Sequence, residues 1–163
     1  MHDTQPGTRE RIIPKEQAVF WMDGHGRWCN VHGPFAHRKI IDHFNASIQK
    51  DAHGYFVAQE YAGVREKVYF RYDVTPLFAM DLLEGDPERL VLNTGRMLPL
   101  QGGNLCIRAD QLYHVDGDEW VRFSERLLLK LSSRLKHAYG RYAFKSGGRW
   151  LPVREFRLSS ESG

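Results

Sequence analysis

The chain has 163 residues, 42% hydrophobic and 26% charged, with a formal net charge of +3. This suits one domain, or two closely built halves, with a real core; nine Phe, seven Tyr and four Trp exclude a globally disordered chain. No run of about 18 apolar residues occurs, which excludes a helical membrane span. Residues 1–17, polar and lacking an apolar leader core, are predicted to form a flexible arm with no secretory signal. Ala18–Met22 is a short apolar run suited to a buried strand. Asp23-Gly24-His25-Gly26 is a turn, and Trp28–Val31 returns as a second strand. Gly33-Pro34 then opens a helix from Phe35 to about Lys50, with Phe35, Ile40, Ile41, Phe44 and Ile48 on one face.

Tyr55–Val57 and Lys67–Tyr72 are aromatic and β-branched, hence strands. Leu77–Leu83 follows Pro76 as another strand, and Leu90–Leu92 with Met97–Leu100 reads as a hairpin about Asn93-Thr94-Gly95. Leu105–Ile107 and Leu112–Val115 are short strands. A second helix is predicted from Glu119 to about His137, on the stripe Trp120, Leu127, Leu128, Leu131 and Leu135. Arg141–Phe144 and Trp150–Leu158 form a last hairpin around Ser146-Gly147-Gly148, and Ser159–Gly163 is a polar tail.

One motif recurs. Gly26-Arg27-Trp28 is echoed by Gly148-Arg149-Trp150, and more loosely by Asp116-Gly117-Asp118-Glu119-Trp120; the first and the loose copy each lead into a predicted helix. The fold class read from this is α+β: two similar units of curved antiparallel sheet, each packed around one helix. The first spans residues 18–100 and the second, packed on it, residues 101–158.

The residues in order are a turn with Trp28, then Gly33 and Phe35 entering a helix through Ile40-Ile41-Asp42-His43-Phe44. Next come Gly54-Tyr55-Phe56-Val57, Val64-Arg65-Glu66-Lys67-Val68, Pro76–Leu82 and Leu90–Gly95. This series resembles the small bacterial proteins of domain-of-unknown-function family 1285, over about residues 18–137. The likeness departs at three places. Ala58-Gln59 stand where the family has Thr-Pro; Val74 stands where it has an acidic residue before a small residue and Pro; Asn93-Thr94 reverses its Thr-Asn pair. The departures bear on a shared ligand site more than on the fold. The resemblance implies two half-barrel-like repeats and a ligand-binding or signalling role. It carries over no catalytic residue, because none is established for the family.

Charge is uneven. From Trp120 onward there are ten Lys and Arg against three Glu; Met1–Glu119 holds thirteen against seventeen acids. Such an asymmetry marks either an anionic partner or internal pairing, and the interleaving of the cations with core residues favours the second. Arg122, Arg126, Lys130 and Arg134 recur every fourth residue and form a candidate anion-binding row on the predicted second helix. Cys29 and Cys106 are the only cysteines and, without an export signal, are expected to be reduced in a cytoplasm.

Catalytic and metal signals are thin. Cys29-x-x-His32 has a zinc-like spacing among His25, His37 and His43, but no second pair of ligands accompanies it. Cys29 and Ser124 are the candidate nucleophiles, yet no nucleophile-elbow motif occurs. The pairs Gly24-x-Gly26, Gly102-Gly103 and Gly147-Gly148 complete no phosphate-binding loop. The expectation is a non-enzymatic binding or regulatory module for a small ligand or protein partner, with no metal, cofactor or membrane contact. Trp28, Tyr55, Tyr69, Arg71 and Trp120 are its candidate pocket residues. The alternatives are a small hydrolase using Cys29 or a histidine, and nucleic-acid binding through the basic C-terminal third. The sequence sets no oligomeric state.

Overall fold

Alternating aromatic and β-branched runs, cut by glycine and aspartate turns, dictate short strands. The computed structural model describes residues 9–156. Within them the fold is α+β and dominated by strands, with two short α-helices, and no sheet closes on itself. The chain divides into two compact units, Met1–Pro76 and Leu77–Gly163.

The first unit contains β1 (Arg9–Ile13), β2 (Trp21–Met22), β3 (Trp28–Asn30) and β4 (Gly33–Pro34). There follow α1 (Arg38–Ala46), β5 (Ile48–Asp51), β6 (Gly54–Tyr61) and β7 (Val64–Tyr69). β2, β3 and β4 make a three-stranded antiparallel sheet; the other four strands lie in the order β1-β7-β6-β5. β1 runs parallel to β7, so Arg9–Ile13 is a paired strand and not part of a flexible arm. Residues 1–8 and the polar tail 159–163 lie outside the described residues. Gly33-Pro34 does not open the helix. It pairs with β3, and the helix begins four residues later at Arg38. Its C-terminal end is also earlier than predicted. The Ser47 hydroxyl donates back to the His43 carbonyl at 2.6 Å, and Ile48 leaves the helix to pair with Val57. The core is aromatic: Phe20, Trp28, Phe44 and Phe70 meet at centroid distances of 4.8 to 6.3 Å.

The second unit contains β8 (Phe78–Leu83), β9 (Arg89–Leu92), β10 (Met97–Pro99), β11 (Leu105–Arg108), β12 (Gln111–Asp116) and β13 (Glu119–Phe123). After α2 (Glu125–Lys130) come β14 (Leu135–Ala138), β15 (Arg141–Ser146) and β16 (Arg149–Glu155). They form one nine-stranded sheet in the order β10-β9-β8-β13-β12-β11-β16-β15-β14. β8 runs parallel to β13 and β11 to β16, so the sheet is mixed and not antiparallel throughout. The β8–β13 ladder also moves the boundary from the expected residue 100 to Pro76: β8, β9 and β10 belong to the sheet of the second unit.

The predicted second helix is the largest correction. Glu119–Phe123 is a strand, because the segment pairs residue by residue with β12 while Val121 and Phe123 are fully buried on one face. Only Glu125–Lys130 is α-helical; Ser132–Arg134 is a 3-10 turn, and Leu135 enters β14. The echo survives as a repeated element order, with three short strands, a helix and a three-stranded meander in each unit. Trp28 and Trp120 precede the helices, whereas Trp150 lies in the last meander strand.

Candidate functional site

In the first unit three of the five nominated pocket residues come together. Asp51 ends β5 and caps its own turn: its Oδ1 accepts the His53 N–H at 2.8 Å, and Gly54 follows with a φ of +119°. This turn sets Tyr55 at the start of β6, opposite the end of β7. There Tyr69, Phe70, Arg71 and Tyr72 run out of the strand, and the Met22 N–H donates to the Arg71 carbonyl at 2.9 Å. Lys15 comes from the turn Pro14–Gln17, closed by a 2.9 Å backbone bond. Lys15, His53, Gly54, Tyr55, Tyr69, Phe70, Arg71 and Tyr72 enclose a hollow of about 430 Å³. A second hollow of about 300 Å³ is lined by Ala18, Phe20 and Trp21 and again by Lys15 and Arg71, so the two cations border both.

The tyrosines are ordered by their neighbours. Tyr55 and Tyr72 meet edge to face at 5.5 Å, and the Lys50 ammonium lies 5.2 Å from the Tyr55 ring centre. The Tyr69 hydroxyl donates to Asp51 Oδ2 at 2.5 Å. That bond to a carboxylate pushes the Tyr69 phenol up to about 12 and holds the Asp51 carboxyl below its ordinary value. Burial raises the Tyr72 phenol, so both tyrosines stay protonated at neutral pH. Lys67 lies 3.5 Å from Asp51 and offsets its charge. Among the described residues no carboxylate pairs with Lys15 or Arg71, and the balance at the shared wall is positive.

The other nominated residues lie elsewhere. Trp28 is 1% exposed and cannot line a pocket: its indole N–H donates to Asn45 Oδ1 at 2.7 Å inside the aromatic core. Trp120 is in the second unit. It borders a hollow of about 330 Å³ with Cys106 and Phe156, and the Arg108 guanidinium lies 5.5 Å from its ring. The four cations form no helical row. Arg122 is buried in β13, 5.8 Å from the Phe78 ring. Lys130 pairs with Asp81 at 2.6 Å, and Arg134 Nη1 reaches both oxygens of the buried Glu88 at 2.9 and 2.8 Å. Arg126 alone of the four is exposed on α2 without a direct bond among the described residues. Arg134 and Glu88 also border a cleft of about 560 Å³ with Glu84 and Lys145, whose charges are of both signs.

Cys29 is not disposed to act as a nucleophile. Burial and the Asp23 carboxylate, 3.9 Å from Sγ, both raise its thiol, the opposite of what a thiolate needs. Ser124 is the N-cap of α2: its hydroxyl accepts the Leu127 N–H at 3.1 Å. Among the described residues no group of three or more His, Cys, Asp or Glu side chains is placed to hold a metal ion. Cys29 and Cys106 are both free and buried. No helix of the described residues is long and apolar enough to cross a membrane.

No protein-family model and no curated protein matches the sequence. Solved structures do. The chain is similar to a DUF1285 family protein from Silicibacter pomeroyi DSS-3, with a TM-score of 0.58 and 16% identity over 91% of this chain and 86% of that one. The two share a fold. A DUF1285 family protein from Shewanella baltica OS155 is also similar, with a TM-score of 0.51 and 14% identity over 73% of this chain and 94% of that one. The resemblance read from the ordered motifs thus holds at the level of the fold.

On this DUF1285 fold the sequence reading missed Lys15, Trp21, His53 and Tyr72 as pocket residues. Trp21 had no usable signal in the all-apolar run Ala18–Met22, and only the structure turns it outward. Phe20 and Met22 are 9% and 2% exposed and Trp21 is 38% exposed, the in-out-in alternation of a strand. Lys15 had none, because a lysine in a polar segment reads as solvent-facing until the turn around it is known.

Proposed function

We propose that the chain is a non-enzymatic binding module that takes a small anionic ligand in the tyrosine-lined hollow of the first unit. The observation that carries this reading is the pair Lys15 and Arg71. Two cations without an acidic partner among the described residues border a hollow whose tyrosines are neutral hydrogen-bonding groups. The half-barrel form of the units, with a concave ligand face, belongs to the same reading, as does a cytoplasmic setting for two free thiols. The hydrolase alternative loses support from the raised Cys29 thiol, and the nucleic-acid alternative from the pairing of Lys130 and Arg134 with acids of their own unit.

Inorganic pyrophosphate is the first probe. A ligand that binds only the folded protein stabilises it by about 2.7 kcal/mol at a hundredfold excess over its dissociation constant. Pyrophosphate is expected to raise the Tm saturably, and the Lys15→Ala/Arg71→Ala double variant is expected to lose that rise. No rise in the parent protein, or an equal rise in the double variant, rejects the site.

A further inference from the structure

The connection between β10 and β11 is held to the sheet by a histidine. Gln101 and the 3-10 turn Gly102–Asn104 bond to each other: the Asn104 N–H donates to the Gln101 carbonyl at 2.9 Å, and Asn104 Nδ2 donates to Gln101 Oε1 at 3.1 Å. These bonds close the turn without tying it down. What ties it to the sheet is a close approach and a bond to a side chain. Gly102 lies so near β16 that a Cβ in its place would run into Leu151 Cδ1. The Gln101 N–H donates at 3.3 Å to Nε2 of His114, which is 3% exposed in β12. That bond fixes the state of the ring. Nε2 accepts, so the neutral imidazole holds its proton on Nδ1. A second proton has only Nε2 to go to, where it would point a donor at the Gln101 donor inside a buried site.

The charges that reach His114 are Asp116 on its own strand and Glu119 on β13; both favour the proton, and burial opposes it more strongly. Across the two ladders His114 faces Leu105 and Val121, and the connection offers Gln101 and Asn104, none of them charged. The ring therefore takes up its second proton where Gln101 has moved off and water reaches Nε2. We propose that His114 is an acid-operated latch, whose protonation frees Gln101–Asn104 from the sheet and uncovers Leu151 while the strands beneath stay paired. The opening is local because β12 is held on both sides, to β11 and β13, by main-chain groups that do not titrate.

The test is amide hydrogen exchange of the full chain, read by NMR from about pH 7.5 to about pH 5 and expressed as protection relative to an unstructured chain at each pH. The Gln101 amide is expected to hold its protection above about pH 6.5 and to lose it about tenfold per pH unit below, one proton per opening. The Arg122 and Ser124 amides, bonded to the Leu77 and Ala79 carbonyls at 2.9 and 3.0 Å, are expected to keep theirs. His114→Gln keeps an acceptor without a titrating group and is expected to hold Gln101 closed over the whole range. A Gln101 amide that is unprotected at the upper pH, or whose protection is the same throughout, overturns the latch. An equal fall at Gln101, Arg122 and Ser124 makes the opening a global unfolding and also overturns it; that comparison is made within the parent protein and does not depend on the variant folding. The same slope in His114→Gln assigns the proton to another group and rejects His114.

Discussion

Val74 has a φ of +62°, a conformation that a β-branched residue adopts only under strain. The Thr75 N–H donates to the Asp73 carbonyl at 2.7 Å, so Asp73-Val74-Thr75 is a tight γ-turn with valine at its centre. The turn closes two residues after Tyr72, and Thr75 behind it is 2% exposed, which leaves the strain no route to relax. Asparagine tolerates positive φ far better. Val74→Asn is therefore expected to stabilise the protein by about 1 kcal/mol, a rise of about 2–4 °C in Tm by calorimetry; an unchanged or lower Tm rejects the strain. At this scale the sequence was informative about chemistry and poor about position. Tyr55, Tyr69 and Arg71 were nominated for type and converge on one hollow. Trp28 was nominated on the same grounds and is core, because an indole suits a ligand wall and an aromatic cluster equally well.

The basic row shows what an element decides. Spacing of four residues puts Arg122, Arg126, Lys130 and Arg134 on one face only if a single helix carries them all. Ser124 caps a helix that begins after Arg122, and the chain passes into a 3-10 turn before Arg134. The four cations consequently meet different neighbours. Arg134 has the most consequential: the Glu88 carboxylate is buried and also accepts the Ser146 hydroxyl at 3.0 Å. Arg134→Ala leaves that carboxylate without its cation and is expected to cost about 2–4 kcal/mol in chemical denaturation. Ser146→Ala removes one neutral donor and is expected to cost about 1 kcal/mol. Equal, small losses in both variants would place Glu88 in effective contact with water and refute the buried pair.

At the scale of the whole molecule part of the charge asymmetry is paired internally: Lys130 and Arg134, from the basic third, meet Asp81 and Glu88 from the acidic part, within the second unit. The same unit carries an acid-sensitive point. His114, 3% exposed in β12, accepts the Gln101 N–H through Nε2 at 3.3 Å. Burial lowers its pKa from the ordinary 6.5. The unfolded chain thus takes up a proton near pH 6.5 that the folded chain resists, so stability is full above that pH and falls as pH drops below it. The Tm is expected to decline from about pH 7.5 to about pH 5.5, and His114→Gln to flatten the decline. An unaltered slope in the variant assigns the sensitivity to other groups.

The sequence by itself determined an α+β chain of short strands, the turns at Asp23–Gly26, Asn93–Gly95 and Ser146–Gly148, and a twice-repeated order of elements. Each follows from local chemistry: glycine and aspartate at turns, alternating apolar residues between them. It also put Tyr55, Tyr69 and Arg71 among the pocket candidates. Only the tertiary structure decided that Glu119–Phe123 and Leu135–Ala138 are strands, since a stripe of leucines fits a helix until a partner strand offers its hydrogen bonds. Only it brought Lys15 and Trp21 to Arg71, because that meeting depends on a backbone bond between Met22 and Arg71, residues far apart in the chain. Local propensity acts over a few residues, whereas strand pairing and burial act between segments that no local pattern connects.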